Sequence, residues 1–237
     1  LYFIIIWGRT NPIQNSNTMN KELVISVFDK NLEWIDRLNE DVIVTIYRKG
    51  DNPKSKFYEI FLKNNVGRDV HTFFYHIVKN YEKLSDFTFF VQDFPFDHWG
   101  NLVDVVNNLD NLSTCSLNFG GYYGFHNNQF GSAWTLKPST QFTNGNVLSC
   151  TKSGNPQHTH ENLNLDIYWV NFFSSPAPSE YEFIPGGHFV ITKEQIKLRQ
   201  KNFYQKILTF LETENLAPWV IERFECYIFN PNFETIK

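Results

Sequence analysis

NNVGRDVHTFFYHIVKNYEKLSDFTFFVQDFPFDHW, residues Asn64 to Trp99, carries the reading of the fold. From Asp69 to Tyr81, Val70, Phe73, Phe74, Ile77, Val78 and Tyr81 recur at the spacing of one buried helix face. The opposite face holds His71, Thr72, Tyr75, His76 and Lys79. Phe87 to Val91 (FTFFV) is a short, wholly apolar run, the pattern of a strand covered on both faces. It stops abruptly at Gln92-Asp93-Phe94-Pro95-Phe96-Asp97-His98-Trp99. In open parallel sheets ligands bind beyond the carboxyl ends of strands, so this loop is a site candidate on geometry alone.

Upstream, Glu22 to Phe28 (ELVISVF) reads as a buried strand, and Asn31 caps a helix with Leu32, Ile35 and Leu38 on one face. Asp41 to Tyr47 (DVIVTIY) is a second strand, closed by the turn formers Lys49-Gly50-Asp51-Asn52-Pro53. Strand, helix, strand in this order argues for a parallel βαβ unit. Downstream, from Asn101 to Glu180, Asn, Gly, Ser and Thr dilute the pattern, and Phe119-Gly120-Gly121-Tyr122-Tyr123-Gly124-Phe125 has no helical period. This stretch reads as irregular loops and short strands, a lid or acceptor-binding insert.

Pattern returns at Glu182 to Ile191 (EFIPGGHFVI), a glycine-broken strand. Thr192 with Gln195 three residues on has capping-box spacing, Phe203 to Leu211 is helical, and Pro218 opens a last helix. There Trp219, Glu222, Arg223 and Cys226 share a stripe. With no repeat and no linker between two cores, the expectation is one α/β domain over 21–237. Its central sheet is expected to be mostly parallel and flanked by helices, with an irregular insert at about 101–180.

The 237 residues include 6 Trp, 11 Tyr and 24 Phe, an aromatic load that excludes disorder and a coiled coil. Basic residues number 21 against 25 acidic ones, so no basic face for nucleic acid is expected. Cys115, Cys150 and Cys226 are far apart and fit no zinc spacing, which reads as reduced thiols and a cytoplasmic protein. The segment 1–20 reads as a polar tail, with Leu1 to Thr18 lying upstream of a start at Met19. Alternatively, Leu1 to Trp7 (LYFIIIW), too short to span a bilayer, is the remnant of a membrane anchor.

Four places could carry chemistry. Asn65-Val66-Gly67-Arg68-Asp69 opens the strong helix, where free amides, a glycine turn and an arginine fork suit an anion; the plainer reading is that Asp69 caps the helix and Arg68 pairs with a surface acid. Gln92, Asp93, Asp97 and His98 could bind a divalent cation or act as acid and base, or Asp97 and His98 could simply stabilise the turn at Pro95. Gly187 and His188 interrupt a strand, as close approach to a ligand or a bulge would. Glu222 and Arg223 are a carboxylate with an orienting partner, or a structural charge pair. His158-Thr159-His160-Glu161 reads as a solvated loop.

Taken in order, several segments resemble one family. ELVIS from Glu22, Trp34-Ile35-Asp36, NNVGRDVHTFFYHIVKNYEKL, FTFFVQDFPFDHW, GGHFVITKEQIKLRQKNFY from Gly186 and PWVIERFECYIF from Pro218 look like domain-of-unknown-function family 3431. The Asn65-x-Gly67-Arg68-Asp69 start is also similar to a segment of rhamnan-synthesis-type glycosyltransferases, and the opening strands to the GT-A nucleotide-sugar fold.

That resemblance implies a glycosyltransferase moving a sugar from a nucleotide-sugar donor to a glycan or protein hydroxyl. Asn65, Gly67, Arg68, Asp69, Gln92, Gly187 and His188 would line the donor, and Asp93 would hold manganese or magnesium. Glu222 would be the base, with Asp97 and His98 as further catalytic candidates. The usual Asp-x-Asp is here Gln92-Asp93-Phe94, and a single carboxylate holds a cation weakly unless Asp97 or His98 joins it. Two other classes compete: a glycan-binding module stacking sugars on Tyr122, Tyr123 and Trp134, and a metal-dependent hydrolase built on Asp93, Asp97 and His98.

Overall fold

The computed structural model describes residues 19–50, 55–62, 65–114, 117–118, 121–124, 134–136, 142–143, 146–147, 165–178, 181–183 and 187–231. In chain order the strands are β1 Lys21–Val27, β2 Val42–Arg48, β3 Ile60–Phe61, β4 Phe87–Gln92, β5 Leu117–Asn118, β6 Tyr122–Gly124, β7 Trp134–Leu136, β8 Phe142–Thr143, β9 Asn146–Val147, β10 Tyr181–Phe183 and β11 Phe189–Thr192. The helices are α1 Arg68–Asn80, α2 Leu102–Asn107, α3 Leu165–Phe172, α4 Lys193–Lys197, α5 Lys201–Thr213 and α6 Ala217–Phe229. Among the described residues no helix is long and apolar enough to cross a membrane.

Seven strands form the main sheet in the order β3-β2-β1-β4-β11-β6-β5. The first four are parallel, with Leu23 of β1 opposite both Val44 and Phe89. The remaining ladders are antiparallel, Phe189 lying opposite Phe90 and Val190 opposite Tyr123. The sheet is therefore mixed, and not mostly parallel as its apolar runs imply. The reason lies in how the chain enters β11: His188 stands beside the end of β4, so the strand that follows must run back along it. Two strands of this antiparallel half, β5 and β6, come from the stretch whose composition reads as an irregular insert.

Strand alternation divides the core. Val24, Tyr47, Phe90, Phe189 and Ile191 face α1, α5 and α6. Leu23, Ile25, Val27, Ile46, Phe89, Val91 and Val190 face Trp34, Ile35, Trp99, Leu102, Val105 and Val106. Helix α1 lies between the sheet and α5 and α6, so His71, Thr72 and His76 of its polar face are buried too, while Lys79 stays exposed. Thr72 exchanges a 2.9 Å hydrogen bond with Ser26, and His76 meets the Tyr47 hydroxyl at 3.0 Å. Glu22, under the same helix, accepts from Thr45 at 2.7 Å and Ser85 at 3.1 Å. Burial pushes its carboxyl up, but His76 and these two hydroxyls outweigh that and hold it below the usual range.

Three local expectations change. The segment after β1 is a 3-10 turn, Glu33–Arg37, preceded by Asn31, whose Oδ1 accepts the Glu33 amide at 2.8 Å. Glu182 to Ile191 is two strands in different sheets: β10 pairs with β7, and β11 joins β4 and β6. Gly187, with φ +63°, precedes β11. Thr192 caps α4, its Oγ1 accepting the Gln195 amide at 3.2 Å, but the box stays half-formed: the Gln195 side chain donates to Phe229 O at 2.5 Å.

Candidate functional site

The strand order places the site. From β1 the chain steps outward to β2 and β3, then returns to the other side of β1 for β4, so the connections diverge at the carboxyl ends of β1 and β4. The loops after β2 and β4, the start of α1, the approach to β11 and one face of α6 converge there.

At the start of α1, Gly67 and Arg68 adopt consecutive left-handed conformations, φ +62° and +53°. Glycine is required at the first: a side chain would meet His71 Cβ at 2.7 Å and Leu211 O at 2.9 Å. Arg68 carries a side chain in the same region, a strained state that surrounding contacts must impose. Its guanidinium lies 5.5 Å from the Trp219 ring centroid and, among the described residues, makes no hydrogen bond or ion pair. Lys49, buried after β2, donates to Val66 O at 2.6 Å and to Arg68 O. Asn65 is exposed just before this turn.

Asp69, the next residue, does not cap α1. Its Oδ2 accepts from the Gln92 side chain at 2.8 Å, and a side chain on Gly187 would stand 3.7 Å from the same oxygen. The Gln92 amide in turn approaches His188 Nε2 at 3.4 Å, the long limit of a hydrogen bond. That contact assigns the proton of the neutral ring to Nδ1, which has no partner among the described residues. His98 meets the His188 ring edge-on, centroids 5.3 Å apart. Burial, with the His98 charge, pushes His188 down to about 3, so its imidazole is neutral across the physiological range. Burial also pushes the Asp69 carboxyl up, opposed by Gln92 and Arg68 and reinforced by Glu222.

The α6 wall is acidic. Glu222 accepts from Arg223 Nη1 at 2.7 Å, and the same nitrogen donates to Trp219 O at 2.9 Å. One turn on, the buried Glu225 accepts from the Tyr122 hydroxyl at 3.3 Å, while its Oε1 has no partner among the described residues. Burial, and then the charges of Glu222 and Asp69, raise the Glu225 carboxyl well above its usual range.

Asp93 does something else. Its Oδ2 accepts three consecutive amides, from Phe28 and Asp29 at 3.0 Å and Lys30 at 2.9 Å, and its carbonyl accepts the Trp34 indole N–H at 2.9 Å. It pins the loop leaving β1 to the end of β4, and one carboxylate oxygen is fully committed. Asp97, exposed in the 3-10 turn Pro95–Asp97, lies 3.7 Å from His98 Nε2. Among the described residues no group of three His, Cys, Asp or Glu side chains is arranged to hold a metal ion. Asp93, Asp97 and His98 are thus not gathered into a three-ligand set.

The structure brings Gly67, Arg68, Asp69, Gln92, Gly187, His188 and His98 together where α1 starts and β4 ends, with Glu222 on the adjoining helix. The stacking reading loses Tyr122, which is fully buried with its ring on Phe189 and Phe229. Tyr123 is half-buried against the second core, and the Trp134 side chain, like His158 to Glu161, Cys115 and Cys150, lies outside the described residues. Lys49 and Glu225 are absent from the residues singled out by motif. The signal for Glu225 is its i, i+3 spacing from Glu222 on a helix whose one other charged residue is Arg223; for Lys49 it is the basic pair Arg48-Lys49 at the carboxyl end of a buried strand.

A family model described as a protein of unknown function (DUF3431) matches residues 23–235. No curated protein matches the chain.

Proposed function

Since the chain belongs to the DUF3431 family, whose description assigns no activity, we propose from the site itself that it is a glycosyltransferase, moving a sugar from a nucleotide-sugar donor to a glycan or protein hydroxyl. The observation that carries this reading is Arg68. A strained backbone, an aromatic support and a guanidinium with no protein partner among the described residues coincide at an uncapped helix start, beside the divergence of β1 and β4. A fork of donors at a helix start is suited to a diphosphate. The GT-A likeness enters as support from sequence resemblance and from this strand order.

On this reading the acceptor oxygen attacks the anomeric carbon and its proton passes to Glu222. The bond from that carbon to the diphosphate oxygen breaks, and the leaving oxygen keeps the electron pair. Arg68 and the α1 amides meet the charge that develops there. Arg223 orients the Glu222 side chain through the 2.7 Å hydrogen bond from its Nη1. Gly187 and the neutral His188 border the sugar, with Asp69 and Gln92 fixing that edge. Because Asp93 is committed to three amides, no step is routed through a cation held there.

Thermal unfolding against a panel of nucleotide sugars, each with and without manganese, is the direct test. At ligand concentrations about 100 times the dissociation constant, stabilisation of about 2.7 kcal/mol is expected from at least one donor. No shift with any nucleotide would defeat the reading. Glu222→Gln is expected to keep that shift and to lose about 100-fold or more of transfer.

A further inference from the structure

We infer that Lys49 is a positioning residue for the diphosphate site: its buried side chain clamps the Val66–Arg68 turn in the left-handed conformation that presents the Arg68 guanidinium. The inference rests on the reading of Arg68 as the diphosphate ligand, and extends it to what holds that ligand in place.

A lysine is rarely buried unless its charge is satisfied. Lys49 is 5% exposed, and among the described residues it forms no ion pair with a carboxylate. Two of its three N–H donors go to main-chain carbonyls, Val66 O at 2.6 Å and Arg68 O. Those carbonyls flank Gly67, one at each end of the turn, so a single ammonium fixes the direction of both peptide planes. The side chain is anchored in turn from below, because the Lys49 amide donates to Val27 O at 2.9 Å at the end of β1.

A side-chain-bearing residue at φ +53° is disfavoured by its own sterics and depends on contacts such as this clamp. Relaxation of Arg68 toward the right-handed region rotates the Arg68 carbonyl and carries the guanidinium off the Trp219 ring. The first helical bond of α1, His71 N–H to Gly67 O at 3.0 Å, starts from the same turn and loosens with it. The titratable groups facing Lys49 are Asp69 and His71, the latter bonded to Glu212 at 3.3 Å. Burial pushes the ammonium down to about 8, countered in part by Asp69, so the clamp weakens in mildly alkaline solution, where the amine loses its charge.

The test uses the full chain as wild type, Lys49→Met, Arg68→Ala and the double variant. Hydrogen exchange at the amides of residues 68–72 is measured in the unliganded protein, and affinity for inorganic pyrophosphate and uridine diphosphate by calorimetry. The expected result is faster exchange confined to that segment in Lys49→Met, with affinity reduced at least tenfold. The double variant is expected to be no weaker than Arg68→Ala, since the two residues act as one unit. Wild-type affinity is expected to fall as pH rises through about 8, a readout that does not depend on any variant folding.

Unchanged exchange in Lys49→Met overturns the clamp. Faster exchange with unchanged affinity, or a flat pH profile, overturns its link to Arg68. Failure of the wild type to bind either phosphate ligand overturns the diphosphate reading itself, while exchange still decides whether the turn depends on Lys49.

Discussion

At the residue scale, two backbone-directed contacts set the limits of substitution at the carboxyl ends of β1 and β4 and the start of α1. Gly67 combines φ +62° with atoms at 2.7 and 2.9 Å from where a Cβ would stand, one of them the Leu211 carbonyl, which cannot swing aside. Gly67→Ala is expected to cost about 1–3 kcal/mol in chemical denaturation, and a wild-type midpoint would show that the turn can relax. Asp93 holds three amides on one oxygen, so Asp93→Ala leaves three donors without an acceptor and is expected to cost about 2–3 kcal/mol. Asp93→Asn retains an acceptor and should lose less. Equal stability of the two variants would mean that the amides find other partners. The pinning role was hidden because the amides lie more than sixty residues upstream, whereas the Gly67 turn is local and could be anticipated from the glycine itself.

At the element scale, the β4–β11 junction makes stability responsive to pH. His188 is held at about 3 against an ordinary 6.5, so the unfolded chain binds a proton between those values that the folded chain does not. Stability from this group is complete above about 6.5 and is lost as pH falls toward 3. Denaturation midpoints measured from pH 7 down to pH 5 are expected to drop, and His188→Asn to flatten that slope; an unchanged slope in the variant would assign the effect elsewhere. Arg48 and Glu59, joining β2 to the segment before β3, add a second acid-labile contact. The Arg48 guanidinium holds the Glu59 carboxyl at about 2, so its contribution is present above about 4.5 and lost below it. Helix α1 was legible from its apolar face, but its polar face carried no sign of burial. His76, Thr72 and His71 are accommodated by partners on β1, β2 and α5, which only the packing brings near.

At the scale of the whole molecule, the legible half of the fold is the half made of long elements. β1, β2 and β4 follow from apolar runs of five or more residues and α1 from its helical apolar spacing, and the parallel order of the strands places the divergence beside Arg68. The antiparallel half was not legible, since β5, β6 and β11 are two, three and four residues long. Strands that short give periodicity nothing to act on, and their direction is fixed by where the chain enters, next to His188. The site divides in the same way. Residues at strand ends and helix starts, such as Arg68, Gln92 and His188, stood out by position, while Lys49 and Glu225 sit in ordinary-looking surroundings and take their meaning from Arg68 and Glu222. The central claim is that this convergence binds the diphosphate of a sugar donor through Arg68. The most direct measurement is a calorimetric titration of a nucleoside diphosphate into wild-type and Arg68→Ala protein. The account predicts saturable one-site binding that Arg68→Ala weakens at least tenfold, about 1.4 kcal/mol, with the thermal midpoint of the unliganded protein unchanged. Equal affinity in the two proteins, or no saturable binding of any nucleoside diphosphate to the wild type, would contradict it.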